Sequence, residues 1–419
     1  MCPTDTPHPA PALERNASRA DDFPWHLGVC DAHCHPTDTM ASIPSIPSMR
    51  ARALTIMATR SQDQDLVASV AAEQGIRDRE ALASTSPDST SSRVVPAFGW
   101  HPWFSYQLYD DTEGSSGTYD ASGNKAEQKA RHYGAVLAPA PDAEFVAALP
   151  DPISLSGLIS DTRRRVLEVG TAIIGEIGLD KAFRLPWPWN ATEHSERDVT
   201  LTPGGREGRM LSPHHVKMPH QVQILKAQLR LAGELGVAVS IHGVQAHGVL
   251  FDAMASLWKG HEKEVVSRRK QKMVATGAED FSSSDEEDDY YDEAQGYGRR
   301  VARKRYKPKP FPPRVCLHSF SGSSQMLSQY LNPAIPLRAY FSFSTVINLS
   351  TAGGESKFPE LIRTCPDDRL LVESDLHCAG EDMDGFLEDM YRKVCEIKGW
   401  GLEEGVERIR KNYEEFVFG

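Results

Sequence analysis

The stretch Leu27-Gly-Val-Cys-Asp31-Ala-His33-Cys-His35 is an apolar run that ends in an acid and two imidazoles. Side chains alternate between the faces of a β-strand, so His33 and His35 point one way and Cys34 the other. A pair of imidazoles sharing a face at a strand end is suited to gripping one metal ion. Four later runs close in the same manner: Gly-Glu176-Ile-Gly-Leu-Asp180, Ile-His242-Gly, Leu-His318-Ser-Phe-Ser-Gly322 and Glu373-Ser-Asp375. Metal-ligand residue types at the ends of separated strands describe one metal-dependent site.

Around these motifs the chain alternates short apolar runs with helical patterns, the signature of an α/β protein. Strands are expected at about 27–34, 54–59, 94–100, 172–179, 237–242, 314–318, 339–343 and 370–375. Their near-continuous apolar character fits parallel strands buried on both faces, and eight of them fit a closed TIM (β/α)8 barrel. The clearest helix is expected over about 219–235, with Val222, Leu225, Leu229 and Ala232 on one stripe and Gly236 as its stop. In such barrels the active site lies at the C-terminal face, where strand ends converge, and the candidate ligands fall on that edge.

Composition narrows the class further. A chain of 419 residues, 40% hydrophobic and 25% charged, is an ordinary globular composition. No apolar stretch approaches the roughly 20 residues a membrane span requires, and the N-terminus lacks the pattern of a secretion signal. Seven scattered cysteines without CxxC spacing suit a reducing compartment, cytoplasmic or nuclear, and argue against a cysteine zinc site. The net charge of −12 excludes a protein that holds nucleic acid mainly through a basic surface.

Taken together the motifs resemble those of the TatD-type metal-dependent deoxyribonucleases, which are built on a distorted TIM barrel. The resemblance extends from about Asp31 to Phe416. It is carried by DAHCH from Asp31, GWHP from Gly99, GEIGLD from Gly175, SIH from Ser240, HSFSG from His318 and ESD from Glu373. It implies that His33, His35 and Asp375 hold one divalent ion (Mg, Mn or Zn), that His242 and His318 hold a second, and that Glu176 bridges them. By the same resemblance a water activated between the two ions attacks a DNA phosphodiester, with Asp375 and Glu176 as the catalytic carboxylates and cleavage proceeding from a strand end. His101 is expected to contact the substrate phosphate and Asp180 to support the substrate-binding site behind the ligands. Cys34 is expected to pack as a small apolar residue. The chain departs from the family in two places. After His242 most relatives place a basic residue where this chain has Gly-Val-Gln245-Ala246-His247, and the usual Glu-Thr-Asp-Ser-Pro reads Glu373-Ser-Asp375-Leu-His377.

Residues 1–25 are expected to form a flexible tail and 26–419 the barrel, with insertions at about 110–131, 183–219 and 262–312. The first reads as an exposed Gly-, Ser- and Asp-rich loop. The second is punctuated by prolines, and His214, His215 and His220, in the Pro-flanked loop at its end, are expected to be solvated. The third contains residues 279–293 with nine acids and no base, then 299–309 with seven bases. Such blocks indicate disorder, and offer a self-neutralising loop, a basic block that binds nucleic acid or serves as a nuclear-import signal, or a docking segment for protein partners. The expected function is that of a monomeric, divalent-metal-dependent phosphodiesterase acting on DNA. Two other readings are a hydrolase of a small phosphoester or cyclic amide, and a scaffold that keeps the ligands but works through its inserts.

Overall fold

A computed structural model describes residues 22–83, 92–112, 117–120, 123–190, 194–195, 197–265 and 306–419. Eight parallel strands form one sheet: β1 (Cys30–Cys34), β2 (Ala53–Ala58), β3 (Val94–Phe98), β4 (Ile173–Asp180), β5 (Val239–Val244), β6 (Arg314–Leu317), β7 (Arg338–Phe343) and β8 (Leu370–Val372). They are hydrogen-bonded in chain order, each beside its predecessor. No regular ladder joins β8 to β1. The barrel is closed there by single bonds, Asp375 N–H to His33 O at 3.0 Å and His35 N–H to Leu376 O at 2.8 Å. The fold is therefore α/β, a nearly closed (β/α)8 barrel.

Two apolar layers hold it. The inner one is made of small or narrow residues, Cys30, Ala32, Ala53, Val95, Ala97, Ile173 and Ala238 among them, and is plugged by Tyr413 and Phe416. Both plugs belong to the C-terminal helix Leu402–Phe418. The outer layer, between strands and helices, includes Cys34, Leu54, Ile56, Ile174, Ile177, Leu179 and Ile241. The helix Met218–Leu235 buries Leu225, Leu229, Leu231 and Ala232 against this layer and ends at Gly236, whose φ of 71° is the left-handed conformation glycine adopts without strain.

Membership of these layers exposes two irregularities. Cys30 and Ala32 face inward yet Cys34 faces outward, and the register of β1 shifts between Asp31 and Cys34. Ile174 and Ile177, an odd number of residues apart, share the outer layer, and β4 shifts register between them. Each bulge reverses the alternation for the rest of its strand. The result is that His33 and His35, and Glu176 and Asp180, turn into the mouth of the barrel.

The surrounding segments differ from expectation at several points. Within the presumed tail of 1–25, Phe23 is buried and meets Tyr391, and Asp22 pairs with Arg392 at 2.6 Å; residues 1–21 lie outside the described residues. Part of the expected 110–131 loop is helix, because Lys125–Val136 is capped by Asn124 and buries His132, Tyr133 and Val136. The 183–219 excursion is anchored by buried Leu185 and Val216, which pack with Tyr106, Tyr133 and Phe145. His214 and His220 are buried, not solvated: their ring nitrogens meet Pro139 O at 2.8 Å and Ser105 O at 2.9 Å, while His215 is exposed. Of the third insertion, residues 266–305 lie outside the described residues. Its two ends converge on the body, where the His261 and Phe311 rings lie 5.5 Å apart and Tyr306 Oη donates to Gly233 O at 2.6 Å.

Candidate metal centre

All six residues expected as ligands reach one point at the C-terminal mouth, with Glu176 in the middle. Its Oε2 lies 3.5 Å from His33 Nε2 and 3.3 Å from His35 Nε2. Its Oε1 lies 2.8 Å from His242 Nδ1 and 2.7 Å from His318 Nε2. Asp375 Oδ1 joins the first group, 3.8 Å from His33 Nε2 and 3.5 Å from His35 Nε2. The carboxylate of Glu176 thus presents one oxygen to each of two clusters.

Ring nitrogens face ring nitrogens in both. His33 Nε2 and His35 Nε2 are 3.0 Å apart, and His242 Nδ1 and His318 Nε2 are 3.1 Å apart. Ligands of one tetrahedral ion with bonds of 2.0–2.1 Å stand about 3.3 Å from one another. Among the described residues, buried His35 Nδ1 and His318 Nδ1 have no hydrogen-bond partner. A mixed imidazole and carboxylate set at this spacing fits divalent cations, and groups including His33 with His35 and Asp375, or Glu176 with His242, can hold a metal ion.

Electrostatics follow from burial. Desolvation pushes the Glu176 carboxyl up, but the facing imidazoles of His101, His318 and His33 outweigh it and hold the group well below the usual carboxylate range. Asp375 is lowered in the same way, burial being overcome by the bond from His35 and by His318 and His33. For His242, burial is overcome by Asp180 and Glu176, which raise the imidazole to about 9. Burial dominates at His101 and lowers it to about 4.

The supporting residues fix each ligand. Asp180 Oδ2 accepts from His242 Nε2 at 3.2 Å and from Trp103 Nε1 at 2.6 Å, so His242 turns its Nδ1 toward Glu176. Ser240 Oγ sits 2.8 Å from His33 Nδ1. Asp31 accepts from Ser374 N and Oγ and from His33 N, which ties β1 to the segment carrying Asp375. Asp375 and Ser319 sit at φ of 55° and 40°, left-handed conformations that non-glycine residues adopt at functional strand ends under constraint.

His101 and Asp180, the expected substrate contacts, both lie beside the clusters, Asp180 behind His242. His101 Nε2 is 3.2 Å from Glu176 Oε1, while its Nδ1 accepts the Trp103 N–H at 3.2 Å. That bond leaves the ring proton on Nε2, so the neutral ring is a donor toward Glu176 and not a ligand, despite standing close enough to Glu176 and His242 to be grouped with them. Glu373 escaped the sequence reading as a contributor in its own right. It is fully buried, accepts from Ser319 N at 2.7 Å and Ser319 Oγ at 2.5 Å and from Ser342 Oγ, and lies 3.6 Å from His318 Nδ1. The only signal for it was its position two residues before Asp375.

Cys34 is buried on the far side of β1, with its Sγ 3.5 Å from Thr55 O. Beside the clusters a cavity of about 340 Å³ opens, lined by His242, His318 and Asp375 and also by Asn348, Ser350, Thr351 and Lys357.

A parallel barrel carrying a histidine and carboxylate cluster at its C-terminal mouth is the architecture of a metal-dependent hydrolase. Residues 30–418 match the family described as TatD related DNase, and the chain belongs to that family. It is 34% identical over 390 residues to the Cut9-interacting protein scn1 of Schizosaccharomyces pombe, covering 93% of this chain and 98% of that protein. It is 25% identical over 357 residues to an uncharacterized deoxyribonuclease of Saccharomyces cerevisiae, covering 81% of this chain and 87% of that one. Among solved structures, a TatD homologue of Escherichia coli aligns with a TM-score of 0.48 and 15% identity, over 94% of this chain and 98% of the other.

Proposed function

We propose that the protein is a two-metal phosphodiesterase that hydrolyses DNA, removing nucleotides from a strand end. The observation that carries this reading is the division of Glu176, one oxygen toward His33 and His35, the other toward His242 and His318. Two divalent cations bound there would acidify a water and neutralise charge on the attacking and leaving oxygens of an in-line displacement. The chain's own residues do the rest. Glu176 spaces and partly neutralises the two positions, and Asp375, kept ionised by the imidazoles that face it, orients the attacking water and accepts its proton. His101 directs its Nε2–H toward the same centre, where it donates to a phosphoryl oxygen. Asp180 and Glu373 hold His242 and His318 in place from outside.

Family membership and the name of the budding-yeast relative support DNA as substrate. A small phosphoester or a cyclic amide is the competing substrate class, since barrels of this kind host several hydrolytic chemistries. A second role, as a binding partner of another protein, is supported by the name of the fission-yeast relative, a Cut9-interacting protein. We place this activity in the cytoplasm or nucleus. Among the described residues Cys30, Cys34, Cys316, Cys365, Cys378 and Cys395 are free thiols, as in a reducing compartment. Among them too, no helix is long and apolar enough to cross a membrane.

The deciding experiment incubates metal-replete protein with end-labelled single- and double-stranded DNA and with simple phosphodiesters, alongside a chelated control. Stepwise, chelator-sensitive shortening of DNA is expected. Hydrolysis of simple esters alone would transfer the reading to the small-substrate class, and no turnover with retained partner binding would leave the scaffold role.

A further inference from the structure

The catalytic cluster is rich in negative charge. Glu176, Asp180 and Glu373 are buried within or directly behind it, Asp375 is half-buried at its edge, and the whole chain carries a net charge of −12. A nucleic acid strand is a polyanion, so the cations that serve the scissile phosphate leave its neighbours facing an acidic body. The end of β5 offers no basic group there: the cavity is lined at that point by Gly243, Val244 and Gln245.

Another part of the cavity lining supplies what the strand end lacks. Lys357 is the only lysine or arginine lining the cavity among the described residues. It lies on the helix Ala352–Thr364, two turns from the N-cap Thr351, is exposed, and makes no ion pair with another described residue. The first turn of that helix contains Gly353 and Gly354, which also line the cavity; a Cβ at Gly353 would meet nothing within 4 Å, while the Gly354 N–H donates to Thr351 Oγ1 at 3.1 Å. A lysine ammonium without an ion-pair partner among the described residues, in a cavity that shares His242, His318 and Asp375 with the catalytic cluster, is a place for a phosphate oxygen.

We propose that Lys357 is a substrate-binding residue that holds the phosphate next to the scissile one, so that this protein grips its strand from the helix after β7 and not from the end of β5. The proposal rests on the nuclease reading for its substrate, but the subsite itself binds any phosphate-bearing strand. Holding a non-reacting phosphate is uniform binding: it lowers KM and leaves the chemical step alone.

The test uses the full-length protein with Lys357→Ala, Lys357→Glu and Lys357→Arg. Binding of a fluorescein-labelled oligo-dT is measured by anisotropy in chelator across a salt series, and turnover is measured with that DNA and with bis(4-nitrophenyl) phosphate, which has no neighbouring phosphate. Lys357→Ala should raise KM for DNA about tenfold, the loss expected for one charge-assisted bond, with kcat little changed and the small diester unaffected. Its salt dependence of binding should fall by about 0.7 in logarithmic slope, one phosphate contact on a single strand. Lys357→Arg should restore most of the affinity, and Lys357→Glu should bind worst. Equal oligonucleotide binding by wild type and Lys357→Glu, or no binding by wild type at all, overturns the subsite. Lys357-dependent binding without turnover of any phosphodiester would instead sink the nuclease reading and leave the subsite standing.

Discussion

Glu176 stands in the middle of the candidate centre, each of its oxygens meeting a different pair of imidazoles. Glu176→Gln keeps the volume and removes the charge that makes two close cations tolerable. We expect a folded protein with weakened metal occupancy and at least about a 10²-fold lower rate, on the order of 3 kcal/mol of lost transition-state stabilisation. Wild-type, chelator-sensitive turnover by this variant would remove Glu176 from the bridging role. Asp180 acts one step further out, through His242. Asp180→Asn keeps the shape but leaves an amide that can turn its NH2 toward His242 Nε2, so we expect roughly a 10- to 100-fold loss of metal affinity, read by calorimetric titration with Mn2+ or Zn2+. An unchanged titration would show that His242 needs no such support. Cys34→Ala is the contrast within the first motif: the thiol lies in the outer apolar layer, so activity should stay at the wild-type level and only thermal stability should decline slightly.

The element scale explains which parts of this arrangement could be read from sequence. Strands β1 to β8 were legible because parallel strands buried on both faces are continuous apolar runs, and the candidate ligands stood out because they close those runs. The inward turn of Glu176 was not, since simple alternation from Ile173 sends position 176 outward and the register shift in β4 reverses it. Pro213 and Pro219 suggested a solvated loop around His214 and His220, but a proline is also at home in the first turn of a helix, and Pro219 sits there in Met218–Leu235. Lys357 could not be singled out from sequence, because an exposed lysine on a helix acquires meaning only from the cavity it borders. The helix Lys125–Val136 carries a further consequence. Burial lowers His132 from the ordinary imidazole value to about 4, its Nε2 donating to Tyr106 O at 2.7 Å and its Nδ1 lying 2.7 Å from Thr118 Oγ1. The unfolded chain, with its imidazole near 6.5, therefore binds more protons than the native protein between those two values. His132 contributes its full stability above about pH 6.5, and this is lost as pH falls toward 4, at up to about 1.4 kcal/mol per unit. In urea titrations the stability advantage of wild type over His132→Gln should be larger at pH 7 than at pH 5. Parallel curves would show that the ring already titrates as in the unfolded chain.

At the scale of the whole molecule, the barrel places its chemistry at one end and its most biased sequence beyond the described residues. Residues 266–305 hold nine acids and nine bases, so removing them leaves the net charge at −12. The flanking ends already meet: Lys263 N–H bonds Ala334 O at 2.8 Å, Lys309 N–H bonds Gly233 O at 3.1 Å, and the His261 and Phe311 rings are 5.5 Å apart. A short Gly/Ser linker in place of 266–305 therefore joins neighbouring points on the body, and shortening a connection lowers closure entropy by only about 0.6 kcal/mol per halving of length. We expect the variant to melt within about 3 °C of wild type, a shift that corresponds to roughly 2–3 kcal/mol in a chain of this size. Chelator-sensitive turnover should be retained, because every ligand and Lys357 lie outside the deleted stretch. Two readouts separate the roles left for the segment. Lost nuclear accumulation of a tagged variant with normal melting assigns it an address, and lost capture of a protein partner with normal turnover assigns it a docking function. A collapsed or multiphasic melting transition would contradict the separation argued here, since it would mean that the segment packs on the barrel and that the catalytic end does not fold independently of it.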